Sequence, residues 1–137
     1  MLSGVSPVVK SIFLCDLVEA DRQSGKLTVQ GVFNSLRVPF VENAVSVLDD
    51  FCSFTEFTGG VSDAVVRLEI VQAGTNAVVL RTSDRVLRFP GRHTTVAVSF
   101  RVSGLAVAEP GVYFVELYCN DQFVDDRVLS ITAREED

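Results

Sequence analysis

The chain has 137 residues, 47% of them apolar, and a formal net charge of −6. That length and apolar content suit one domain with a buried core and exclude a disordered chain. The acidic balance argues against broad nucleic-acid or membrane-surface binding. Three cysteines, Cys15, Cys52 and Cys119, are odd in number and too widely spaced for a disulfide framework.

Valine is abundant, Trp is absent and ten Phe supply the aromatic bulk, a balance that favours sheet over helix. Val8 to Leu14 is the first strand. Ile12 and Leu14 share one face, Phe13 and Cys15 the other, so the pattern predicts a strand that is central or covered on both sides. The polar run from Asp16 to Lys26 is a connection with room for a helical turn over Asp16 to Arg22. Leu27 to Phe33 is the second strand, with Leu27, Val29 and Val32 inward. Gly31 interrupts it, as at a bulge or a close backbone approach. Leu36 to Val41 is extended, and Pro39 restricts it to an edge. Glu42 to Asp50 links onward.

Phe51 to Thr58 sets Phe51, Ser53, Thr55 and Phe57 against Cys52, Phe54 and Glu56. Val65 to Gln72 turns Val66, Leu68 and Ile70 one way, Arg67 and Glu69 the other. It makes a hairpin with Ala77 to Thr82 across Ala73-Gly74-Thr75-Asn76. Ser83 to His93 is irregular, with Val86, Leu87 and Phe89 as candidate buried residues. Thr94 to Val102 places Val96, Val98, Phe100 and Val102 inward and Arg101 outward, and Leu105 to Glu109 leads to the last hairpin.

That hairpin, Pro110 to Ile131, dominates the chain. Side chains alternate along a strand, so Tyr113, Val115, Leu117 and Cys119 take the core face, and Val112, Phe114, Glu116 and Tyr118 the other. Asn120-Asp121 tolerates the positive φ of a two-residue turn. With Cys119 opposite Gln122, Glu116 would lie against Asp125, and Leu129 and Ile131 would face outward. A bulge near Asp125-Asp126 removes both conflicts and is predicted. The strands and their short turn spacing indicate an all-β fold, a single domain over residues 1–137. The expected form is an antiparallel two-sheet sandwich of about eight or nine strands, immunoglobulin-like in architecture but without the Trp and cross-sheet disulfide of antibody domains.

Cys15-Asp16, then Gly25-Lys26, then Gly31-Val32-Phe33 resembles the N-terminal signature of a family of short, uncharacterised bacterial β-sandwich proteins. Pro110, Gly111 and Tyr113 match that family's C-terminal hairpin. The resemblance spans almost the whole chain. It implies a small sandwich and no assigned activity, cofactor or catalytic residue.

No constellation for catalysis is evident. His93 is the single histidine and has no nucleophile elbow beside it, so it reads as an exposed loop residue and the protein as a non-enzyme. There is no Cys-x-x-Cys or His pair for zinc. Neither Asp16, Glu19 and Asp21 nor Asp121, Asp125 and Asp126 match a calcium loop, so no metal or cofactor is expected. Residues 81–101 hold five arginines against Asp84 alone. Arg85, Arg88 and Arg92 are the candidate site for a small anionic ligand or acidic polymer, through the planar guanidinium fork. The competing reading pairs them with internal acids such as Glu116, Asp125 or Asp126.

The expected function is a protein-interaction module without catalytic activity. It would be a homodimer and bind an unknown protein partner, through sheet edges or through the 16–25 and 40–51 connections and the Arg134–Asp137 tail. The N-terminus shows no signal peptide and no run reaches transmembrane length, so a cytoplasmic location is expected.

Overall fold

The computed structural model describes residues 7–134. Every element among them is a strand. β1 is Val8–Cys15, β2 Leu17–Ala20, β3 Leu27–Gln30, β4 Ser35–Val38, β5 Ser46–Val47, β6 Phe51–Thr58 and β7 Ala64–Gln72. β8 is Val78–Arg81, β9 Arg85–Leu87, β10 Val96–Val102, β11 Ala106–Val107, β12 Gly111–Cys119 and β13 Gln122–Ala133. The fold is all-β. The described residues hold thirteen strands rather than eight or nine, because the connections contain short paired segments whose few residues are too short for a recognisable alternation.

Two sheets face each other. One is three-stranded, in the order β1-β6-β10; the other runs β4-β13-β12-β7-β8, with β9 also paired to β7. β2-β3 and β5-β11 form separate two-stranded ribbons. Pairing is antiparallel except at β4, which runs parallel to β13 through Ser130↔Ser35 to Ala133↔Val38. The all-antiparallel expectation fails there because parallel neighbours need only a long crossover, and more than eighty residues separate these two. Pro39 follows β4 at a sheet edge, as its missing donor requires.

The core is one cluster. Ile12, Leu14, Phe57, Val98 and Phe100 from the smaller sheet meet Val66, Leu68, Ile70, Tyr113, Val115, Leu117, Leu129 and Ile131 from the larger one. The inward faces expected for β7, β10 and β12 are the observed ones. Three expectations in the N-terminal half are overturned. Within the 16–22 stretch Leu17–Ala20 is strand β2, paired with β3 from Leu17↔Gln30 to Ala20↔Leu27. The Asp21 carboxylate there accepts the amides of Gln23 and Ser24 and organises a turn, not a helix. β1 is a sheet edge and Phe13 is exposed. Leu27 and Val32 are also exposed, because the β2-β3 ribbon stands off the core.

The β12-β13 bulge exists, but at Val124. Tyr118 pairs with Phe123 and Leu117 with Asp125. The extra residue turns Leu129 and Ile131 into the core, as expected. It does not separate the acids: Glu116 now faces Asp126. Asn120 and Asp121 have φ of 52° and 65°, the paired positive values of a hairpin turn. Cys15 and Cys119 are buried, Cys52 is only half-buried, and all three are free thiols. Val86 is exposed, while Leu87 and Phe89 are buried. Residues 135–137 of the tail lie outside the described residues.

Candidate interaction surface

The outer face of the larger sheet is built by alternation along β12 and its neighbours. Val78, Val71, Phe114 and Val128 lie in one row across four strands. Val112, opposite Ser130, extends the apolar band on one side. Arg81, Glu69, Glu116 and Asp126 form the row on the other side. Beyond it lie Arg67, Tyr118 and Phe123.

The charged row is organised by Glu69, which is 5% exposed. A buried carboxylate needs partners. Arg67 Nε lies 2.8 Å away and Arg81 Nε 3.3 Å away. Arg67 also donates to Asp121 Oδ1 at 2.6 Å and stacks over the Tyr118 ring at 4.6 Å. Hydrogen bonds to Glu69 and then Asp121 push the Arg67 guanidinium up from its ordinary value. Tyr118 donates to Glu116 Oε1 at 2.9 Å; burial, then this carboxylate, pushes its phenol up. Next to this network Val78, Val112 and Val128 of the apolar band are 48%, 43% and 45% exposed, while Val71 between them is buried at 7%.

Each edge of the smaller sheet is met by an arginine instead. Arg127 Nε donates to Ile12 O at 2.9 Å, across from β13 to edge strand β1. Arg85 Nη1 donates to Ser99 O at 2.9 Å, across from β9 to edge strand β10, with its guanidinium 5.6 Å over the Phe100 ring. Each arginine shares its strand's inward parity, Arg127 with Leu129 and Arg85 with Leu87, so it sits at the rim and reaches the facing sheet. The two tie the sheets together, one on each side, and occupy outward-pointing carbonyls that an added strand would need. For Arg127 the sequence signal is its place on the apolar parity of Leu129; Arg85 lies in a three-residue strand, too short to show one.

The arginine-rich segment is thus dispersed. Arg81 pairs with Glu69, Arg101 with Asp50 at 2.7 Å, and Arg88 approaches Asp63 at 3.9 Å. Their acids are not Glu116, Asp125 or Asp126. Arg92 and His93 are exposed in the turn closed by Thr94 N–H to Gly91 O. Among the described residues no group of three or more His, Cys, Asp or Glu is placed to hold a metal ion, and no helix is long and apolar enough to cross a membrane.

The signature residues are joints of the fold. Asp16 N–H donates to Gln30 O and Gly31 O, and Phe33 N–H to Leu14 O, closing the base of the β2-β3 ribbon. Gly25, at φ 73°, turns its tip. Tyr113, 1% exposed, donates its hydroxyl to Glu109 O at 2.9 Å, which fixes the Pro110-Gly111 corner. A family model covering residues 10–132 matches the sequence throughout this framework. The chain belongs to the family of unknown function DUF6941. No curated protein matches this DUF6941 member. Among solved structures it is similar to a beta-glucosidase from Listeria innocua in complex with isofagomine, at 10% identity and a TM-score of 0.46. The alignment covers 89% of this chain and 16% of that one, so the chain spans about a sixth of that protein's length.

Proposed function

We propose that this DUF6941 chain is a non-enzymatic protein-interaction module that pairs with a second copy of itself through the outer face of the larger sheet. The observation that supports this is the Val78–Val71–Phe114–Val128 row with Val112 beside it, in which Val78, Val112 and Val128 are exposed around the half-buried Phe114 and the buried Val71. Contiguous apolar surface is costly to leave in water and marks association sites. The arginine-capped edges of the smaller sheet favour face pairing over the edge pairing expected from sequence. A two-fold axis lying along the band sets band on band and carries the Glu69–Glu116–Asp126 row over the partner's Val112–Ser130 row, which keeps like charges apart. The Tyr113 corner supports an immunoglobulin-like reading of the sandwich, and three free thiols support a reducing, cytoplasmic setting.

Light scattering after size exclusion, over a dilution series, tests the proposal. The expected result is a dimer that Val128→Lys together with Val112→Lys converts to a folded monomer. A wild-type monomer at every concentration, or a dimer indifferent to both substitutions, overturns it.

A further inference from the structure

An open cleft of about 380 Å³ lies where β1 and β13 end and β6 begins. That volume is within the range of small-molecule sites. Phe33 and Phe51 line it, edge to face with ring centroids 5.5 Å apart and planes at 80°. Asp16, Asp49, Arg37 and Arg134 line it too. Asp50, a further lining residue, is committed: Arg101 donates to it twice, at 3.1 and 2.7 Å, and these bonds pull its carboxyl below the ordinary value.

The other charges stand differently. No ion pair among the described residues engages Asp16, Asp49, Arg37 or Arg134. Arg134 Nη2 makes one long bond, 3.4 Å, to Arg37 O. Asp16 is held by its backbone, through the bonds from its amide to Gln30 O at 2.9 Å and Gly31 O at 3.2 Å. Gly31 has φ +69°, and a Cβ there would collide with the Asp16 carboxylate. The backbone thus keeps a carboxylate in place that no cation among the described residues engages, beside an aromatic wall and guanidinium groups without an ion pair among those residues.

We propose that this cleft binds a small organic zwitterion with an apolar body, of the α-amino-acid type. Asp16 and Asp49 receive the ammonium group, Arg37 and Arg134 the carboxylate, and Phe33 and Phe51 the hydrocarbon. Among the described residues both signs of charge stand without an ion pair in one cleft, so a ligand carrying both is matched better than a simple amine or acid. This site lies apart from the outer face of the larger sheet and does not depend on dimer formation.

The full chain, labelled with nitrogen-15, is titrated with L-phenylalanine at millimolar concentration, with phenethylamine and 3-phenylpropionate as probes lacking one charge. The expected result is saturable shifts at the amides of Leu36, Leu48 and Phe51, with binding of the single-charge probes about tenfold weaker or worse. Asp16→Asn and Arg37→Gln each weaken L-phenylalanine by about tenfold, whereas Asp63→Asn, outside the cleft, leaves it unchanged. Thermal melts confirm that the variants are folded. Linear shifts without saturation, equal response to the three probes, or unchanged binding in both cleft variants overturns the proposal.

Discussion

Thr55 lies at the centre of β6, is 0% exposed, and its Oγ1 has no hydrogen-bond partner. Its cross-strand neighbours are Ile12 on β1 and Val98 on β10, both apolar. A hydroxyl buried without a partner costs about 1–3 kcal/mol by mutational measure. Thr55→Val removes that cost, keeps the β-branched shape suited to a central strand, and adds a methyl worth about 0.8 kcal/mol. The variant is expected to be more stable by about 2–4 kcal/mol. With about 0.3 kcal/mol/K of unfolding entropy for a chain of this length, each kcal/mol raises Tm by about 3–4 °C. Urea unfolding monitored by circular dichroism reads the free energy, and an unchanged m value shows that the same surface is exposed. A variant that is less stable than wild type, or equal to it, refutes the reasoning, because the hydroxyl would then have to be satisfied in the native core.

Tyr113→Phe keeps the buried ring and loses the bond to Glu109 O; a loss of about 1 kcal/mol is expected, and no loss in urea unfolding would remove the corner from the account. Arg127→Ala frees Ile12 O at the β1 edge. It should cost about 1 kcal/mol, discounted for a half-exposed side chain, and raise self-association seen by light scattering; a variant of wild-type stability and state contradicts the edge-capping role. Gly31→Ala forces a side chain into positive φ and into Asp16, so a loss of about 2 kcal/mol is expected. In a double-mutant cycle Asp16→Ala should recover part of it, and strict additivity would show that the two do not touch.

Burial pushes the Cys15 and Cys119 thiols above 9.0, and burial followed by Glu109 pushes the Tyr113 phenol above 10.0. These groups hold their protons more tightly when folded. Their contribution is complete below the unfolded values and is lost as pH rises through the folded ones. Unfolding free energy is therefore expected to fall from about pH 9 upward, and Cys119→Ala to flatten the fall. Constant stability across that range in urea titrations would contradict it.

The amino-acid sequence by itself determined the all-β class and the faces of the long strands. Along β7, β10 and β12 alternation is local, and one buried face suffices to orient every second side chain. It also located the Asn120-Asp121 turn and the need for a bulge, since Leu129 and Ile131 had to reach the core. Only the tertiary structure decided what depends on distant partners. β4 joins β13 in parallel; Leu17 and Leu27 stand in a ribbon away from the core; Val124 rather than Asp125 or Asp126 is the extra residue. Arg127 meets Ile12 and Arg85 meets Ser99 across the gap between sheets, and Asp16, Asp49, Arg37 and Arg134 gather at one end. A single chain records which face each residue prefers, but the packing of the two sheets sets which charges meet, because those contacts join segments far apart in the chain.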